Sequence, residues 1–145
     1  MRVLIFNIFL IGTCCYAFGR GGAPERIVAA LFPAAAAISV VWGRQISDVF
    51  AKPAYGLLAV DLALLLALTA VALKANRNWT MTVAAMQLIM VSVHLIRILN
   101  PDTIRPVYTV MLALWSWPMV LLLALGTFQH QRRLKRNGRD RSWSG

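Results

Sequence analysis

The sequence predicts an all-α, polytopic transmembrane helix bundle, and three observations lead to this prediction. Of the 145 residues, 59% are hydrophobic and only 14% are charged, whereas about one-quarter of a soluble domain is charged. The apolar residues fall into five long blocks, and a membrane-spanning helix needs about 20 such residues. Five spans would occupy most of the chain, so no separate soluble catalytic domain fits.

The breaks between the blocks place the predicted spans at about residues 3–18, 27–43, 54–73, 79–98 and 106–128. Residues 1–129 are therefore assigned to the bundle and residues 130–145 to a basic tail. The first block could instead be a signal peptide, because Arg2 precedes an apolar stretch of suitable length. We expect a retained helix, since a protein with further spans needs no cleavable signal.

The remaining blocks have their own markers. The second contains Pro33, which a membrane helix tolerates when neighbouring groups satisfy the freed carbonyl; if this block does not cross, four spans remain. The third block follows Pro53, at a position that favours helix starts. The short polar turn at 74–78 makes the third and fourth helices an antiparallel hairpin. The fifth carries Trp117 beside Pro118, which indicates either packing at a kink or an aromatic wall for an apolar ligand.

Positive charge at the helix ends predicts the orientation. With five spans, ten of the 15 Lys and Arg residues fall on the side of the tail, six of them between Arg132 and Arg141. Cytoplasmic loops are enriched in Lys and Arg. We therefore predict a multi-pass protein of the bacterial inner membrane with a cytoplasmic C-terminus and, for five spans, an N-terminus outside.

Nucleic-acid binding and cofactor binding are not predicted. The net charge of +10 reflects a scarcity of acids, and most basic residues mark helix ends instead of forming one patch. His94 is the only histidine within a predicted span, so one chain cannot supply a paired-histidine haem site. No Cys, His and acid cluster resembles a zinc site. The adjacent Cys14 and Cys15 rarely meet disulfide geometry.

One group of polar residues lies within the predicted spans. Asp61 is on the third helix, and Gln87, His94 and Arg97 share one face of the fourth at 100° per residue. An ionisable residue within a span is costly and marks a functional-site candidate. Because the hairpin is short, Asp61 can meet His94 or Arg97, and Tyr108 of the fifth helix lies at the same depth.

Two interpretations of this polar cluster remain open. Asn7 and Ser39 lie at the same level, so the group could line a cavity that handles a proton or ligand. Alternatively, Asp61 and Arg97 form a buried pair that holds two helices together, with His94 as a hydrogen-bonding partner. Polar contacts of this kind contribute roughly 0.6 to 2 kcal/mol in membranes.

Small residues on the third helix form a ridge for close helix packing: Gly56, Ala59, Ala63 and Ala67. Asp61 is on the opposite, leucine-rich face. We therefore expect the third helix either to be central in the bundle or to bind another subunit with one face. The aromatic residues Trp42, Tyr55 and Trp79 lie near predicted helix ends, which is typical of an interfacial belt.

Several short strings of this chain form a pattern, at 4–6, 9–11, 16–17, 21–22, 60–65, 72–74, 77, 79, 87–88, 94–95, 100–101, 114–118 and 125–127. Together they resemble a family of small alphaproteobacterial multi-span membrane proteins without assigned function. This chain has Trp117 where the group's Trp-Ser-Tyr-Pro motif has tyrosine. The resemblance covers residues 3 to about 132 and implies a helical membrane fold but no activity.

The sequence favours a non-enzymatic inner-membrane protein that serves as an accessory or assembly subunit of a larger membrane complex. Its expected partners are the lipid bilayer and either other membrane subunits or further copies of itself. The alternative is a small proton- or ligand-coupled transporter or channel that uses the intramembrane Asp, His and Arg residues. A membrane-bound enzyme is least favoured, because acid–base chemistry needs positioned groups with tuned pKa values and the sequence gives only a hint of such a pair.

Overall fold

The computed structural model describes residues 2–45, 55–75, 77–100 and 105–138. These residues form five α-helices: α1 (Arg2–Arg20), α2 (Ala23–Gln45), α3 (Tyr55–Ala75), α4 (Asn78–Leu99) and α5 (Arg105–Asn137). Each helix contains a stretch that is long and apolar enough to cross a membrane. The chain is therefore an all-α, polytopic membrane protein, and the prediction of five spans is confirmed, including the second block with Pro33.

Local hydrogen bonds explain where the helices turn. The amide of Gly21 donates to Ala17 O at 2.8 Å, which closes the last turn of α1. Arg77 is extended (φ −131°, ψ 129°) before α4, and the hydroxyl of Thr80 donates to Arg77 O at 2.6 Å. Since Arg77 leaves the helical region, α3 and α4 reverse direction within a few residues, as the polar turn predicts.

The fifth helix continues beyond the predicted end of its span. It contains Pro118 and runs through the basic segment to Asn137. Gly138 then adopts φ +70°, a conformation that favours glycine, and its amide donates to Leu134 O at 2.9 Å. The first part of the basic tail is therefore helical and continuous with α5.

The five helices form a closed ring. Each helix packs on its neighbours in the chain, α5 packs on α1, and α2 also touches α5 across the ring. Among the described residues, α3 contacts only α2 and α4. The central position that the alanine ridge suggested for α3 is therefore wrong, and α2 and α5 have the more central places.

The ring has two ends. The N-terminal end contains the start of α1, the start of α3 and the end of α4. The tail end contains the α1–α2 turn, the α3–α4 turn and the C-terminal part of α5.

Many large apolar side chains face outward, as expected for helices surrounded by lipid. Leu66 and Leu99 are 71% and 83% exposed, for example. The buried core lies inside the ring and includes Leu10, Val28, Phe32, Leu68, Val83 and Leu123. Because lipid covers the outer face, apolar side chains there need no contact with protein. The interior of the ring holds the tightly packed side chains and the polar groups.

The aromatic residues divide between packing and surface. The Trp117 ring packs edge-on against Phe6, with centroids 5.4 Å apart, and stacks on Phe9 at 5.9 Å. This contact fits the packing interpretation of the tryptophan beside Pro118. Trp79 lies near the start of α4, as predicted, but it is only 6% exposed and so does not face outward from the bundle. Its ring instead packs on Gly126 of α5.

Candidate functional site

Asp61, Gln87 and His94 form a polar cluster between α3 and α4. The imidazole Nε2 of His94 lies 2.7 Å from Oδ2 of Asp61. The amide Nε2 of Gln87 donates to Oδ1 of Asp61 at 3.0 Å and to the Asp61 main-chain oxygen at 3.2 Å. Both carboxylate oxygens are therefore engaged by side chains of the next helix.

Helix geometry accounts for this convergence. Gln87 and His94 are seven residues apart, which is nearly two turns, so they share a face of α4. Asp61 lies about 9 Å along α3 from Tyr55, and His94 about 8 Å from the end of α4 at Leu99, at 1.5 Å per residue. Since the short turn makes the two helices antiparallel, these residues meet at one depth, toward the N-terminal end.

The cluster is largely removed from solvent. Gln87 is 2% and His94 5% exposed, and the Asp61 side chain is 18% exposed. A buried carboxylate is costly unless hydrogen bonds or a counter-charge compensate it. The 2.7 Å separation between His94 Nε2 and Asp61 Oδ2 is that of a direct hydrogen bond between the two side chains.

One side of the cluster faces a cavity within the ring. Its volume is about 170 Å³, and all five helices contribute to its wall. Asp61, Gln87, Ser39 and Ser116 supply polar groups. The remaining wall is apolar, with Phe6, Leu10, Phe32, Ala35, Ala36, Leu64, Met90, Met119 and Val120. This volume is below the range of about 300 to 1,000 Å³ typical of organic ligand pockets, so it suits water or a small solute.

Of the other residues predicted for this site, some line the cavity and others lie away from it. Ser39 lines the cavity as predicted, whereas Asn7 is exposed. Arg97 lies almost one turn beyond His94 and is half-buried. The sequence left open an ion pair between Asp61 and Arg97, but the Asp61 carboxylate pairs with His94 instead. Tyr108 belongs to α5, but its side chain lies outside the described residues.

Three of the four small residues on α3 face an open groove. This feature, the Ala59 groove, has a volume of about 380 Å³ and is lined by Leu31, Ala34, Ala35, Ile38, Trp42, Gly56, Ala59, Val60, Ala63 and Leu64. A Cβ on Gly56 would lie 2.7 Å from the Trp42 ring. Gly56 thus permits the close contact between α2 and α3, and Ala67 is half-buried outside the groove.

Sequence reasoning missed a second polar group at the tail end. Glu25 is 0% and His130 7% exposed. A Cβ on Gly22 would lie 3.1 Å from Glu25 Oε2 and 3.3 Å from His130 Nδ1, so both groups lie beside the same glycine. Within the described ranges, neither oxygen of Glu25 has a hydrogen-bond partner.

Little in the sequence indicates this burial. Glu25 lies in the first turn of α2, where an acid commonly interacts with the helix dipole at the surface. The sequence places His130 at the start of the predicted basic tail. Both are buried because α5 continues past the membrane segment and packs on the α1–α2 turn, where the side-chain amide of Gln131 donates to Arg20 O.

The adjacent thiols of Cys14 and Cys15 differ in their surroundings. Cys14 is buried and Cys15 exposed, and both are free. Across the described parts of the chain, no group of three or more His, Cys, Asp or Glu side chains could hold a metal ion.

No family model, curated protein or solved structure matches this chain. The resemblance to small multi-span membrane proteins therefore remains a prediction.

Proposed function

We propose that this polytopic membrane protein is a non-enzymatic accessory or assembly subunit of a larger membrane complex. The observation that carries the proposal is the engagement of both Asp61 oxygens by Gln87 and His94. A carboxylate used in this way ties α3 to α4 and fixes the hairpin, which is a scaffolding role.

The proposal places the protein in the bacterial inner membrane with its C-terminus in the cytoplasm. The excess of Lys and Arg on the side of the tail supports this orientation. A contact with another subunit is supported by the small residues of the Ala59 groove, since such residues allow helices to approach closely.

Affinity purification tests the proposal. The full-length protein, tagged at one terminus and extracted in mild detergent, should co-purify with another membrane protein in a fixed ratio. Ala63→Phe would fill the Ala59 groove and should reduce this recovery. Ala85→Phe, on an exposed position of α4 outside the groove, is the matched control. Recovery of the protein alone, with or without crosslinking before extraction, would contradict the proposal.

A second candidate function is proton- or ligand-coupled transport. The cavity beside Asp61 and Gln87, with Ser39 and Ser116 in its wall, favours this alternative. In proteoliposomes, Asp61→Asn and His94→Ala should each abolish a flux driven by a pH gradient while the folded protein persists. An unchanged flux in either variant would exclude the Asp61 site from transport.

A further inference from the structure

A second groove lies on the seam between α2 and α3, at the tail end. This feature, the Lys74 groove, has a volume of about 480 Å³ and is lined by Ile27, Ala70, Val71 and Lys74. It shares no lining residue with the Ala59 groove. Its composition combines three apolar side chains with a single cationic one.

The position of the groove gives it an amphipathic character. Lys74 is in the last turn of α3, at the boundary where the apolar helix ends. Ala70 and Val71 lie about one turn deeper along the same helix. A ligand in this groove would place a polar group beside Lys74 and an alkyl chain beside Ala70 and Val71.

Among the described residues of the tail end, the exposed charges near the groove are positive. Lys74 and Arg26 are both exposed, and Arg26 directly precedes the groove residue Ile27. The described acid of this end, Glu25, is completely buried. Basic pockets between membrane helices bind anionic lipid headgroups, so the charges complement a phosphate and not a cationic headgroup.

We propose that the Lys74 groove binds an anionic phospholipid, with the phosphate at Lys74 and an acyl chain against Ile27, Ala70 and Val71. A chain of one leaflet extends about 15 Å, half of the hydrocarbon thickness. This length carries it along the α2–α3 seam away from the charged end. The proposal concerns a lipid site and does not depend on the subunit function above.

Lipid retention by the full-length protein tests this site. The protein is reconstituted with equal amounts of phosphatidylglycerol and phosphatidylcholine, and the lipids retained after mild extraction are counted by native mass spectrometry. Wild-type protein should retain phosphatidylglycerol preferentially. Because a basic residue near the surface contributes about 1 kcal/mol to anionic-lipid binding, Lys74→Ala should lower this preference about fivefold.

Matched variants separate the site from general electrostatic attraction. Lys135→Ala removes an exposed positive charge of α5 at the same end and should leave the preference unchanged. Ala70→Phe should reduce the retention of both lipids by filling the groove, and Lys74→Arg should keep the preference. If Lys74→Ala and Lys135→Ala behave alike, the proposal is overturned. Helix content measured by circular dichroism shows that each variant is folded.

Discussion

At the scale of single residues, the two carboxylates among the described residues, Asp61 and Glu25, have opposite surroundings. Asp61 receives hydrogen bonds on both oxygens from α4. Glu25 is completely buried, and its oxygens have no hydrogen-bond partner among the described residues. Burial of an ionised group stabilises a fold only when partners offset its desolvation, so we expect the two residues to affect stability in opposite directions.

The Asp61–His94 contact should stabilise the hairpin measurably. In a double-mutant cycle, Asp61→Asn and His94→Ala should show a coupling free energy between about 0.6 and about 1.7 kcal/mol, the average and the maximum for polar contacts between membrane helices. The free energy of unfolding of each variant can be measured by denaturation in mixed micelles. Additive effects of the two substitutions would show that the contact contributes nothing.

Removal of the Glu25 carboxylate should increase stability. Glu25→Met has similar length and removes a buried group without donors, so the free energy of unfolding should rise by about 1 to 3 kcal/mol, the usual cost of an unsatisfied polar group. This gain should exceed the loss of a favourable charge at the helix N-terminus, which is about 0.3 to 1 kcal/mol.

The Glu25 prediction has an isosteric control. Glu25→Gln removes the charge but keeps a polar group, so its stability should fall between those of the native protein and Glu25→Met. A lower denaturation midpoint for Glu25→Met than for the native protein would show that the carboxylate has a stabilising partner.

At the scale of helices, glycine decides how closely two elements approach. A Cβ on Gly126 would lie 2.7 Å from the Trp79 ring. The close packing of α4 on α5 therefore requires a residue without a side chain at this position. Gly12 is also within a helix, but a Cβ there would meet no atom within 4 Å. Residue type alone does not distinguish these two glycines, because each lies within a predicted apolar span.

A pair of alanine substitutions tests this difference. Gly126→Ala should lower the free energy of unfolding by about 1 to 3 kcal/mol, since overpacking shifts a large ring. Gly12→Ala should be neutral or stabilising by up to about 1 kcal/mol, because alanine favours helix formation. Thermal unfolding in detergent measures both effects, and an equal response at the two positions would contradict the packing argument.

At the scale of the whole molecule, the ends of the five helices set the topology. Antiparallel neighbours bring the α1–α2 turn, the α3–α4 turn and the C-terminal part of α5 to the tail end. Ten of the 15 basic residues were assigned to this side from the sequence. Four of them, Arg132, Arg133, Lys135 and Arg136, belong to the helical continuation of α5.

Reporter fusions test the orientation. A fluorescent protein that folds only in the cytoplasm should be active when fused after residue 145, and a periplasmic phosphatase should be active when fused in segment 46–54. Activity of the phosphatase at the C-terminus would reverse the predicted orientation. Replacing the four basic residues of α5 with glutamine should weaken the orientation, because the remaining counts on the two sides are nearly equal.

The sequence by itself determined the fold class, the five helices and the face of α4 that meets Asp61. These features depend on apolar block length, helix periodicity and a short turn, all of which are local along the chain. Tertiary structure decided the rest. The third helix lies between two neighbours instead of at the centre, Trp79 is buried, and Glu25 lies beside the same glycine, Gly22, as His130. Such contacts join residues far apart in sequence, and their geometry depends on how the ring of helices closes.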